Sequence, residues 1–431
     1  MTITRVVLAG HTGTDKRGAA SKLESYLPVL QPTWRNRTTV VHLEDCIEET
    51  GGGDTRVFAG VRSSREQRKR WLEGWNAAQE ILGKSGATCQ ILCMHLSFAT
   101  RHNYFCPTDF AVIAGWKPDI MLTLIDDVYA VKRRIQLNHY TFSLSQLYGW
   151  RTTEQILADT VGTLTGALNR PQDASRRIAA CDSILLAVKT PLLTAARLVA
   201  QRESPRCYAS FPISSTRGDP ERKGEINRFR RRLHKTMPTF DPVTIDEKPV
   251  VSYHTLCAQP IRYDPNAGPP GYEQVEMHKR WDAKLGDEDE LAPLVSEPVV
   301  LKNASGHEES FFPVQIGRDE IEELALPEEG EGYTVVDDQI EFRDIRLIAQ
   351  ANLVVCYRPY WDGHITGGVN TEIENANMMG KEVVAFVGND KLKGKPLTGH
   401  ITKSFKEESE FWGYLEGLAT EPVSIPRPAY Y

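Results

Sequence analysis

The chain alternates short, wholly apolar runs with longer amphipathic stretches. VVLAG at 6–10, TVVHL at 39–43, ILCMH at 91–95, IMLTLI at 120–125 and ILLAV at 184–188 read as buried strands. The stretches 65–82 and 153–168 carry helical spacing. Strands without polar alternation, separated by helices, predict a parallel sheet covered on both faces. Thr190 followed by Pro191 predicts an N-cap and first helical position for LLTAARLVAQ. The polar run QRESPR at 201–206 predicts a linker. A second alternating unit follows, with strands at 207–211, 353–357 and 383–387 and helices at 225–235 and 371–379. Within it, 259–332 is rich in Pro, Gly, Asp and Glu and reads as an insertion on the second sheet domain, either a mobile excursion or an ordered lid or surface loop. The expected fold is therefore α/β, two three-layer domains with parallel sheets, at 1–204 and 205–431.

Composition narrows the function classes. Lys+Arg number 51 and Asp+Glu 57, a net charge of −6, which gives no electrostatic case for a dedicated nucleic-acid binder. No run of 18 apolar residues is present, so no membrane partner is expected. The first residues enter a strand-like run without a signal-peptide core, and the eight cysteines form no CxxC pair. A cytoplasmic protein without a disulfide framework is expected. The eleven histidines show no ligand spacing, and no metal is expected.

The first strand runs into Gly10-His-Thr-Gly13-Thr-Asp15-Lys16-Arg17. A phosphate-binding P-loop needs glycines for close backbone approach, Lys for the terminal phosphates and Ser or Thr for magnesium. Gly10, Gly13 and Lys16 stand at matching places; Asp15 replaces the second glycine and Arg17 the hydroxyl residue. With Asp126-Asp127 and Arg133-Arg134 after a later strand, the first half resembles a degenerate nucleotide or nucleoside kinase domain of the P-loop class. The resemblance implies a nucleotide bound through Gly10, Gly13, Lys16 and Arg17. The loss of the hydroxyl argues against phosphoryl transfer. An ordinary strand-to-helix turn is the plainer alternative.

The second half carries an Arg343-Asp344 pair opening a helix, the strand Leu353-Val-Val-Cys-Tyr357 and the turn Gly367-Gly368-Val-Asn-Thr-Glu372. It continues into an Ala-containing helix, Gly380-Lys381 and another strand, and its opening strand begins Cys207-Tyr208. This order resembles the nucleoside 2-deoxyribosyltransferase superfamily, which includes deoxynucleoside 5′-monophosphate N-glycosidases. Asn352 stands where that family often has Asp, and Pro-Ile-Ser-Ser-Thr stands in place of a glycine-rich loop. The resemblance implies a flavodoxin-type sheet, Glu372 as nucleophile, Asp344 and Tyr208 as its catalytic partners, and Ser214, Ser215, Arg217 and Gly368 as substrate-binding residues. The chemistry suits these types: a carboxylate stabilises or captures the oxocarbenium charge that develops when a base–sugar bond breaks. A lone Glu in the first turn of a helix is otherwise a favourable helix charge. The resemblance also implies a nucleoside or nucleotide substrate, no cofactor for the glycosidic step, and a homo-oligomer. Two alternatives stand beside it: a nucleotide-sensing module without turnover, and an NAD-cleaving glycohydrolase in a stress or defence role.

Overall fold

The computed structural model describes residues 3–52, 63–100, 104–137, 142–168, 181–216, 219–245, 263–264, 272–278, 285, 288–295, 311–317, 335–391, 393 and 399–420. The chain divides into two compact units, each with its own parallel sheet. The first comprises Met1–Val188, Ile245–Asp282 and Val295–Ile340; the second comprises Lys189–Thr244, Ala283–Leu294 and Glu341–Tyr431. No helix among the described residues is long and apolar enough to cross a membrane.

The first unit is built from β1 (Thr4–Ala9), α1 (Lys16–Leu30), β2 (Thr38–His42), α2 (Leu43–Ile47), α3 (Ser64–Lys84), β3 (Cys89–Met94), α4 (Phe110–Trp116), β4 (Ile120–Ile125), α5 (Val128–Leu137), α6 (Leu144–Leu168) and β5 (Asp182–Ala187). These five strands form a wholly parallel sheet in the order β2-β3-β1-β4-β5. Strands β3, β4 and β5 are buried along their whole length, which is why they read as continuous apolar runs. Helix α3 begins with an N-cap: Ser63 accepts from the backbone N–H of Glu66. It buries Trp71, Trp75, Ala78 and Leu82, one stripe at helical spacing. The Trp71 and Trp75 rings stack at 5.3 Å between centroids. Helix α6 opens at Leu144, well before the expected 153.

The second unit is built from α7 (Leu192–Ala200), β6 (Cys207–Ser210), α8 (Pro220–Thr236), β7 (Thr239–Phe240), α9 (Val335–Ala349), β8 (Leu353–Tyr357), α10 (Gly367–Met378), β9 (Glu382–Phe386), β10 (Lys403–Phe405) and α11 (Glu408–Ala419). Its strands are parallel in the order β7-β6-β8-β9-β10. Counted within the unit this is 2-1-3-4-5, the flavodoxin-type order, with its switch point between β6 and β8. The α/β class with parallel sheets is thus as expected. Pro191 occupies the cap position of α7 rather than the first helical position, and no side chain caps that helix. Helix α8 does begin with proline: Pro220 follows Asp219, whose carboxylate accepts from the N–H groups of Glu221 and Arg222.

Most of 259–332 lies outside the described residues. Its described strands, Tyr263–Asp264, Tyr272–His278 and Phe311–Gly317, form a three-stranded antiparallel sheet within the first unit.

A buried ionic network braces the second unit. Arg230 Nε donates to Asp241 at 2.6 Å, both side chains having no exposure, and His234 bridges Asp241 to Thr194 at 3.5 and 2.8 Å. Removing one partner leaves a buried guanidinium without its counter-charge. Asp241→Asn should therefore destabilise the unit by about 3–5 kcal/mol in urea unfolding. Breaking the exposed Arg17–Asp45 pair with Arg17→Ala should cost no more than about 1 kcal/mol. Equal losses would show that burial does not set the difference.

Candidate functional site

The switch point of the second sheet places Tyr208 and Ser210 next to the helix that follows β8. They are two apart on β6 and so share one face. Tyr208 Oη donates to Glu372 Oε1 at 2.7 Å, and Ser210 Oγ donates to Glu372 Oε2 at 2.5 Å. Each carboxylate oxygen is thus held by one hydroxyl. Both donors lie on a fully buried strand, while Glu372 is partly buried.

Two expected placements are corrected. Helix α10 opens at Gly367, capped by Thr366, so Glu372 lies in its second turn. The first turn of α10 holds no acidic residue, so Glu372 is not a first-turn helix charge. Helix α9 opens at Val335, so Asp344 lies well inside it and does not start it. Asp344 accepts from the buried Arg343 guanidinium at 3.0 and 2.9 Å.

The electrostatics follow from this enclosure. Burial pushes the Glu372 carboxyl up to about 8, and the negative charge of Asp344 adds to the rise. The Ser210 and Tyr208 hydrogen bonds and the Arg343 charge pull the other way and do not prevail. Burial, with Asp344 and Glu372 behind it, holds the Tyr208 phenol well above its ordinary value, so it remains a donor. A carboxyl that titrates near neutrality is suited to acid, base or nucleophilic work.

Gly367 and Gly368 take ordinary helical conformation, and a Cβ at either would meet no atom within 4 Å. Neither backbone strain nor packing within the described residues demands glycine there. Ser214 and Ser215 fall on the helical turn Ile213–Thr216, but their side chains, and Arg217 altogether, lie outside the described residues. Asn352 has a framework role: its side chain accepts from the Arg206 N–H at 2.9 Å and its own N–H donates to the Arg206 carbonyl at 2.8 Å. Lys381 Nζ donates to the Ala349 and Ala351 carbonyls, closing the end of α9.

The first unit carries a separate cluster at the carboxyl ends of β1 and β3. Gly10 adopts φ +151°, and a Cβ there would lie 2.9 Å from the Leu124 carbonyl; Gly13 adopts φ +90°. Lys16 Nζ donates to the Gly10 carbonyl at 2.7 Å and lies 3.0 Å from His95 Nε2, while His95 Nδ1 meets Glu44 Oε1 at 2.7 Å. Burial alone would raise the Glu44 carboxyl, but His95 and Lys16 bring it down to about 2. Burial lowers Lys16. The structure therefore brings Gly10, Gly13 and Lys16 together. Arg17 stands apart, its guanidinium largely exposed and paired with Asp45 of α2 at 3.0 and 2.5 Å.

Asp15 takes the left-handed conformation, φ 48° and ψ 53°, that a glycine would take at this place. Its carboxylate accepts from the Gly18 N–H at 3.0 Å and so caps α1. Glu44, His95 and Ser210 were not foreseen from sequence. Among the described residues, no group of three or more His, Cys, Asp or Glu side chains is placed to hold a metal ion. No protein-family model matches the chain, and no curated protein matches it.

The raised Glu372 carboxyl has a stability signature. Its ordinary value is 4.5 and its folded value about 8, so the folded state keeps a proton that the unfolded chain has already lost. The Glu372 contribution is full below about pH 4.5 and is lost as pH rises through about 8. Glu372→Gln cannot ionise and escapes that loss. Thermal unfolding should show the variant gaining on the wild type by a few degrees between about pH 5 and about pH 9. A pH-independent difference would mean Glu372 titrates as an ordinary carboxylate.

Proposed function

We propose that the second unit is an N-glycosidase or N-glycosyltransferase acting on the base–sugar bond of a nucleoside, a nucleotide or a related cofactor. The observation that carries this reading is the Glu372 carboxyl gripped by Tyr208 and Ser210 at the switch point of a parallel sheet. Glu372, as its carboxylate, attacks C1′ as the C1′–N bond breaks, forming a glycosyl ester, and the departing base takes its proton from water. Water or an acceptor then takes the sugar. Tyr208 and Ser210 aim the attacking oxygen, and Asp344, fixed by Arg343, orients the sugar side. The bare flank of Gly367 and Gly368 admits a ring at close range. No cofactor is invoked for this step. Assembly as a homo-oligomer in the cytoplasm belongs to the same proposal.

For the first unit we propose nucleotide phosphate binding at Gly10–Lys16 without phosphoryl transfer. Lys16, whose ammonium lies against the Gly10 carbonyl of the loop, supports binding. Arg17, tied to Asp45 where a magnesium-binding hydroxyl would stand, speaks against transfer. This favours a nucleotide-sensing role, in which the first unit regulates the glycosidic one or supplies its substrate.

Incubation with a panel of nucleosides, nucleotides and NAD, followed by chromatography for free base, tests the leading reading. Glu372→Gln should fold and lose at least about a thousandfold in base release. Asp344→Asn should lower kcat more than it raises KM. Wild-type kcat/KM should climb about tenfold per pH unit up to about pH 8, as Glu372 loses its proton. Undiminished base release by Glu372→Gln would sink the assignment. For the first unit, calorimetry with nucleoside triphosphates should show Lys16→Ala weakening and Asp15→Gly tightening binding, each by about five- to tenfold. The opposite order would remove the loop from phosphate binding.

A further inference from the structure

At the amino ends of β1 and β3, opposite the Lys16 loop on the same sheet, the first unit holds a cavity of about 510 Å³. Its walls include Arg5, Arg37, Gln79, Thr88, Gln90 and Trp116. That volume lies within the ordinary range for small-molecule sites.

Three polar atoms of this one wall set are buried without a hydrogen-bond partner among the described residues: Arg5 Nε, Gln79 Nε2 and Thr88 Oγ1. Each belongs to a group able to donate, and a buried donor left unsatisfied is a standing cost that an incoming acceptor removes. The framework around them is fixed. Thr88 N–H donates to the Arg37 carbonyl at 2.9 Å, Gln90 Nε2 donates to the Leu82 carbonyl at 3.1 Å, and the Arg5 backbone N–H donates to Asp119. The Arg5 guanidinium stands 5.9 Å from the centroid of the Trp116 ring. One guanidinium group and one aromatic face therefore border a hollow with donors in its wall.

We propose that this cavity binds an acceptor-rich, ring-bearing organic anion of about the size of a nucleoside monophosphate. The oxyanion meets Arg5, ring acceptors meet Gln79 and Thr88 after rotation of their side-chain ends, and the ring lies towards Trp116. Ligands of parallel α/β sheets ordinarily sit at the carboxyl ends of the strands, so this pocket is an accessory site, separate from the Lys16 loop. It does not depend on the glycosidic reading of the second unit.

Calorimetry on the full chain tests this, in a Lys16→Ala/Glu372→Gln background that weakens the Lys16 loop and stops turnover at Glu372, and only the binding that the cavity substitutions below remove is counted for this site. The probes are nucleoside 5′-monophosphates, orotate as a ring carboxylate, and inorganic phosphate. Saturable binding of one ring anion per chain is expected, and whether a monophosphate or orotate binds tells which oxyanion Arg5 takes. Adding Gln79→Leu and Thr88→Val should weaken it by about tenfold or more, with unchanged circular dichroism. Arg5→Met, as a second variant, should abolish it. Absence of binding by every ring anion at millimolar concentration overturns the proposal. So does affinity that survives Gln79→Leu/Thr88→Val, or inorganic phosphate binding as tightly as the ring anions.

Discussion

Strand register governs the second unit. Tyr208 and Ser210 reach Glu372 only because both project from the same face of β6, and a slip of one residue would turn both hydroxyls to the other side of the sheet. Asn352 and Arg206 pin that register at the strand entrances by a reciprocal pair of hydrogen bonds. The parallel ladder continues it through Val354 opposite Tyr208 and Cys356 opposite Ser210. Lys381 fixes the end of the preceding helix against the same strand entrance. The carboxyl at the other end of the strands inherits its position from these contacts, none of which touches it.

The two sheets treat buried charge differently. In the second unit Glu372 is surrounded by hydroxyls and another carboxylate, and its proton is retained into the neutral range. In the first unit Glu44 faces His95 and Lys16, and its proton is lost at all ordinary pH. One arrangement leaves a group able to change state during a reaction. The other is a settled ion cluster whose positive member faces a loop of left-handed and glycine positions. The proposed division between a reactive unit and a binding unit rests on that contrast.

Period and composition disclosed the strands well, because wholly buried parallel strands leave an unmistakable apolar trace: IMLTLI matches β4 residue for residue. Helix starts were less legible. The opening of α6 is disguised by Gly149 and by the aromatic residues Tyr148 and Trp150, weak helix formers whose burial in the core holds them helical. The opening of α10 hides behind a Gly-Gly pair that sequence reads as loop, until Thr366 caps it. The candidate site was half visible. Glu372 and Tyr208 stood out by motif, whereas Ser210 sits in a strand as one more small residue. Its relevance follows from the two-residue period alone once Tyr208 is placed. His95 and Glu44 meet across 51 positions of sequence, a distance over which neither period nor spacing carries information.

The Asp15 cap has a consequence for how the first loop responds to its surroundings. A carboxylate tethered beside the start of a helix behaves as a ligand supplied at a high effective concentration, which dilution and dialysis leave unchanged. On the proposed phosphate-binding reading a dissolved phosphate competes with it, so the loop discounts that ligand by a constant factor. On that reading the response is shifted towards high ligand levels, and the loop reports abundance rather than scavenging traces.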